Sequence, residues 1–288
     1  MSEGNTLLTI LLVSNSFSLI GSLFVMTAFL VFKSIRSFSF RLVFFMSTAD
    51  FIHSISLMLP SSGTWCIIQA VTLNYSALSS TLWSFCIAFA LYDSAVKENM
   101  HIQRWQGWFF LISYGLPLIF SIIPFAFDSY GLAKGWCWIK RSFEYELVLR
   151  TTCFYFIIWG VMIFNTIVYI SVIRKLKRDY GNIVEYQSQS SILIKRLATY
   201  LIILVITYLP ISVKRIFEIF VDKDLPFWVT CIAAFGISIT GLANASVYGF
   251  TGPVRAAVKS VFYPENRAVS LYSLYTQNFT TSFNTNNL

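Results

Sequence analysis

The chain has 288 residues, of which 56% are hydrophobic and only 12% charged, with a net charge of +8. A water-soluble domain carries about a quarter charged residues, so this much apolar surface excludes one, and apolar runs near 20 residues indicate an integral membrane protein. Two histidines and five scattered cysteines give no metal-site spacing. With no Gly-rich phosphate loop, nucleophile elbow or internal repeat either, neither catalysis, a cofactor nor a nucleic-acid partner is expected.

Residues 1–6 are polar and are expected to form a short extracellular terminus. The first apolar run, 7–32, lacks a basic leader and is too long for a signal peptide core, so it reads as an uncleaved first helix. A second helix is predicted over 40–60 and contains Asp50 and His53. The third, over 66–98, would reach about 45 Å at 1.5 Å per residue, so it should cross at a tilt and sit centrally. A fourth over 108–127 holds Pro117 and Pro124, tolerable inside a bundle. The longest outer loop, 128–146, precedes a fifth helix over 147–173, and an inner loop over 174–195 leads to a sixth over 196–220, with Pro210 as a kink. The seventh helix is predicted over 226–250, so residues 7–250 read as a seven-transmembrane, all-α bundle. Gly252-Pro253 restarts a short amphipathic helix over 251–263, with Val254, Ala257, Val258, Val261 and Phe262 on one face, expected on the inner leaflet. The Ser/Thr/Asn-rich remainder, 264–288, reads as a disordered cytoplasmic tail.

Fourteen of the 21 Lys and Arg fall on the segments this reading puts inside, and the seven outer ones, Arg150 among them, are matched by acids. The positive-inside rule therefore puts the amino terminus outside, and a multi-pass protein of the plasma membrane is the expectation. Cys66, at the outer start of the third helix, and Cys137, in the long outer loop, both face an oxidising compartment. A disulfide pinning the loop over the bundle mouth is the expectation, two free thiols the alternative. Cys86, Cys153 and Cys231 read as small packing residues.

The motifs Cys66-Ile67-Ile68-Gln69, Leu91-Tyr92, Gly135-Trp136-Cys137-Trp138-Ile139 and 241–249 (GLANASVYG) together resemble the slime-mould cyclic-AMP-receptor family of G-protein-coupled receptors. The similarity runs through nearly the whole membrane region and implies a receptor coupling to a heterotrimeric G protein. Rhodopsin-like signatures are absent: Tyr92-Asp93-Ser94 is no Asp-Arg-Tyr, and Ala245 rather than Pro follows Asn244.

Asp50 near the middle of the second helix is expensive there, and Asn244 is its expected partner, with Tyr248 in the same switch network. The alternative is a hydrogen-bonded Asp50 that only fixes packing. Lys214, Arg215 and Glu218 on the outer third of the sixth helix, with Trp138, are the candidate ligand residues. If Lys214 or Arg215 faces inward, the small extracellular ligand would be an anion; if they face lipid headgroups they snorkel, and Lys214 could pair with Glu218 one turn on. Arg174, Lys175, Lys177, Arg178, Lys195 and Arg196 flank the third inner loop, where a G protein would dock or anionic lipid would bind. A small transporter or channel is the alternative function, ranked lower because no repeat is visible and Asp50 is the one mid-membrane acid. A retinal protein would need a lysine over 226–250, and there is none.

Overall fold

The computed structural model describes residues 3–99, 101–133, 136–140, 142–180, 199, 202–214, 216–217, 226–249 and 251–262. Among them, helices α1 (Glu3–Val31), α3 (Gly63–Ala95), α4 (Ile102–Ala126) and α5 (Glu146–Lys175) are long and apolar enough to cross a membrane. Helix α2 (Phe38–Met58) packs against α1 and α3. A shorter apolar helix, α6 (Ile202–Lys214), precedes α7 (Phe227–Ser238) and α8 (Thr240–Gly249), which are bent 43° against each other and make a fifth candidate span if taken as one. Helix α9 (Gly252–Phe262) closes the described chain.

Helix α3 is the centre. Of its most apolar stretch 67% is buried, against 28–39% for α1, α4 and α5. A polar stripe, Gln69, Ser76 and Ser80, lies buried along it at near-heptad spacing, while Leu73, Ala77 and Trp83 fill the space between. Gly63 begins the helix at φ +58, a conformation that costs a side-chain-bearing residue more than glycine. At the far end, Ser37 caps α2 by accepting from the Phe40 N–H at 3.4 Å. The Arg36 guanidinium donates to Phe29 O at 3.1 Å and to Leu30 O, two carbonyls that the end of α1 leaves orphaned.

Proline and glycine decide how the other helices approach. Pro124 has no N–H for Phe120 O, and Asn74 Nδ2 of α3 supplies a bond to that carbonyl at 3.4 Å. Gly21 and Gly241 let α1 and α8 cross closely: a Cβ on Gly21 would sit 3.0 Å from Leu242 Cα, and one on Gly241 would collide with Ser18 Oγ and lie 3.3 Å from Asp50 Cβ. Glycine-to-alanine inside a helix ordinarily gains up to ~1 kcal/mol. At Gly241 the sign reverses, because overpacking costs about 1–3 kcal/mol. Gly241→Ala is therefore expected to lower the thermal unfolding midpoint of the purified protein, and an unchanged midpoint would mean that α8 slides off α1 without loss.

Several expectations change. Helix α1 begins at Glu3, so residues 3–6 are helical rather than a polar leader. The span expected over 226–250 is two helices, because Ile239 departs from the helix between them. Helix α9 does not offer its whole apolar face to a leaflet: Val254 and Ala257 pack with Ala28 and Ile35, while Val261 stays 61% exposed. The loop over 128–146, for which no strand is predicted, carries an antiparallel hairpin of β1 (Tyr130–Leu132) and β2 (Cys137–Ile139), with Gly131 opposite Trp138. The tail over 264–288, the turn over 221–225 and the loop segment 181–195 lie outside the described residues.

Candidate functional site

The hairpin is fastened to α3 from three positions. Cys66 and Cys137 form a disulfide, Gln69 Oε1 accepts from the Cys137 N–H at 2.8 Å, and Trp138 Nε1 donates to Asn74 Oδ1 at 3.0 Å. From the other side α5 holds it: Arg150 donates to Ile139 O, pairs with Glu146 at 3.0 Å and lies 5.4 Å from the Trp138 ring centroid. Arg150 is buried, a correction to its placement among ordinary outer basic residues.

Beneath Trp136 and Trp138 lies a cavity of about 30 Å³. Leu73 and Ala77 of α3, Phe154 of α5, and Tyr208 and Ile211 of α6 line its sides, and His53 and Ile237 complete the wall. Its rings meet edge to face, Trp138 to Phe154 at 5.1 Å and Phe154 to Tyr208 at 6.4 Å. Of the residues expected to hold a ligand, the structure brings Trp138 here. Lys214 is buried with Nζ donating to Thr230 Oγ1 at 2.7 Å and does not line the cavity; Arg215 and Glu218 lie outside the described residues.

His53 joins this cavity to the middle of the bundle. A carbonyl oxygen only accepts, so the 3.2 Å contact to Ile237 O makes His53 Nε2 the donor, and Nδ1 lies 3.4 Å from Ser76 Oγ, whose own proton goes to Thr72 O at 2.6 Å. Ile237 O is one of the carbonyls at the α7–α8 break, and Thr240 Oγ1 also donates to it at 3.0 Å. Side chains thus satisfy backbone that the bend takes out of the helical ladder. Just past the break, Asn244 Nδ2 donates to Asp50 Oδ2 at 2.8 Å, and Ser80 Oγ donates to Asp50 Oδ1 at 2.5 Å. Asp50 is therefore held from α3 and α8 at once, which is the pairing with Asn244 that the sequence suggested. Tyr248 sits one turn beyond Asn244 with its ring 6.4 Å from Phe40. A cavity of about 20 Å³, room for one water, is lined by Ser80 and Asn244 together with Thr207 and Tyr208 of α6.

At the end away from the hairpin, Asp93 pairs with Lys97 at 3.6 Å and accepts from Asn99 Nδ2 at 2.6 Å. Lys175 bridges α5 to Glu98 at 3.1 Å. Arg174, at the same end of α5, and Lys177 and Arg178, where the helix runs on to Tyr180, are exposed, while Lys195 and Arg196 lie outside the described residues. An adjacent cavity of about 140 Å³ is lined by Leu42 and Val43 of α2, Leu91 of α3, Ile102 and Tyr248.

Sequence reasoning named Cys66, Cys137, Asp50 and Asn244 but passed over the roles of Gln69, Arg150, Ser80 and Gly241. The signal for Gln69 and Ser80 was present: with Ser76 they put polar groups on the Cys66 face of a long apolar helix. For Arg150 it was Glu146 four residues earlier.

Comparison with known proteins follows the same outline. The family model described as slime mold cyclic AMP receptor matches residues 1–250. G-protein coupled receptor 1 of Arabidopsis thaliana is 28% identical over 279 residues, covering 92% of this chain and 84% of that protein. Cyclic AMP receptor-like protein A of Dictyostelium discoideum is 28% identical, covering 82% of this chain and 62% of its own length. Cyclic AMP receptor 1 of the same organism is 27% identical, covering 54% and 42%. The chain thus spans less than two thirds of these two slime-mould proteins.

Proposed function

The chain belongs to the slime mold cyclic AMP receptor family and is a receptor of the G-protein-coupled kind, and from that premise we propose how it signals. It crosses the plasma membrane seven times with the amino terminus outside, takes an extracellular ligand beneath the hairpin, and activates a heterotrimeric G protein at the opposite end. The basic residues crowding one side of the membrane support the orientation. The docking side is the one bearing Arg174, Lys177 and Arg178, with Lys195 and Arg196 adding to it.

One observation carries the mechanism: His53 lines the hairpin cavity and is bonded to Ile237 O at the α7–α8 break, one turn from Asp50 and its partner Asn244. The cavity is nearly filled, so a ligand entering it must part the rings. The hairpin is fixed to α3 by the disulfide, whereas α6 is tied to α3 at this wall by one hydrogen bond, from Thr81 Oγ1 to the Tyr208 hydroxyl at 3.3 Å. Displacing α6 would open the cavity beside Asn244 and change the packing of α8, giving two arrangements that a ligand can select between.

His53→Phe keeps a ring of similar size and removes the hydrogen bond to Ile237 O. It is expected to change G-protein activation per surface receptor by threefold or more, with surface number within about twofold. Equal activation per receptor would remove His53 from the path. A transporter is the second reading, because a broken helix beside an intramembrane acid is a transporter feature. Uptake assays on the same cells separate the two.

A further inference from the structure

Taking the hairpin cavity as the ligand site, we infer that its ligand is a small, uncharged, largely apolar molecule with a flat ring, and not an anion such as a cyclic nucleotide. The inference rests on that reading of the cavity and on where its polar atoms point. The N–H of His53 is given to Ile237 O, and its Nδ1, 3.4 Å from Ser76 Oγ, has no proton to offer. The Trp138 N–H is given to Asn74, and the Tyr208 hydroxyl accepts from Thr81 Oγ1 at 3.3 Å. That leaves as donors the Trp136 indole, for which no hydrogen bond is found among the described residues, and the O–H of Tyr208, which only accepts from Thr81, enough for one or two acceptors on a neutral ligand.

The nearby cations are engaged elsewhere. Arg150 is held by Glu146 and Ile139 O, and Lys214 by Thr230; neither lines the cavity. A phosphate pushed between Trp138, Phe154 and Tyr208 would lose its hydration and meet two neutral donors at most and no counter-ion. A ring meets the opposite situation. The edge-to-face series from Trp138 through Phe154 to Tyr208 is the geometry that one more ring inserted beside it would extend. The sequence-based expectation of an anion at Lys214 is replaced by this reading.

The test places a thiol in the wall of the full-length protein in vesicles. Ala77→Cys is the smaller change and Ile211→Cys the second, should the first fail to fold. Reaction with methyl methanethiosulfonate is followed by mass spectrometry of the peptide carrying the new cysteine, which separates it from Cys86, Cys153 and Cys231. Indole at millimolar concentration is expected to slow the reaction at least threefold, and cyclic AMP at the same concentration to leave it unchanged. Protection by cyclic AMP would overturn the ligand class while keeping the cavity as the site. Protection by neither overturns the inference. In that case, labelling that itself alters nucleotide exchange on a co-reconstituted G protein keeps the cavity as the site, and silent labelling removes both.

Discussion

Cys66→Ser and Cys137→Ser are each expected to reduce surface receptor several-fold, and the double variant to be no worse than either alone. The bond joins residues 71 apart in sequence, and cross-linking a loop of that length restricts a free unfolded chain by about 4 kcal/mol. That figure is a ceiling here, because spans that stay inserted when packing is lost already restrain the loop. The remaining attachments, Gln69 to the Cys137 N–H and Asn74 to the Trp138 indole, keep part of the hairpin in place. The loss should therefore appear in yield more than in the behaviour of the receptors that reach the surface. Counting epitope-tagged receptor on intact cells for wild type, both single variants and the double gives a complete cycle. Additive losses would mean that each cysteine contributes alone and that the bond is not what stabilises the protein.

How far the sequence could be read depends on how local the determining interaction is. The long α3 follows from the largely apolar stretch over 66–98, and the structure begins it at Gly63 and ends it at Ala95. Asp50 stands out because a lone acid in such a run has few benign explanations. The α7–α8 break is another matter. No proline or paired glycine marks Ile239, and what makes the bend tolerable is a bond from His53, 184 residues away in sequence. No window of sequence contains both. Gly241 is similarly opaque, since its value lies in the space that Ser18 and Asp50 leave it. The hairpin was missed for a third reason: three-residue strands are too short for an alternating pattern, and they are fixed by α3 and α5 rather than by their own propensity. Lys214 shows another limit, because charge at the outer end of a helix looks available from sequence. Lys214 is buried against Thr230 instead.

Asp50→Asn is expected to leave surface expression within about twofold while changing G-protein activation per receptor by about tenfold, the effect of biasing two packings by ~1.4 kcal/mol. Both present partners are donors, Ser80 Oγ to one carboxylate oxygen and Asn244 Nδ2 to the other. An amide at position 50 keeps one acceptor and supplies a donor, and the Ser80 hydroxyl can turn to accept it. Two charge-assisted bonds become neutral ones, but a buried charge is also removed, and these opposing changes leave the fold in place. What disappears is the charge that α3 and α8 compete to hold. If that charge distinguishes resting from active packing, its loss shifts the balance between them while the hairpin cavity, a turn away at His53, remains formed. A purely structural Asp50 predicts the reverse: fewer receptors at the surface, each activating normally. A second exchange sharpens the test. Asn244→Asp alone would set two carboxylates within hydrogen-bonding distance and should lower expression sharply. Combined with Asp50→Asn it returns one charge and one amide to the same pair, with Ser80 still able to donate to position 50. Activation per receptor that recovers in this double variant identifies the shared charge as the switch, and activation that stays at the Asp50→Asn level assigns Asp50 to packing.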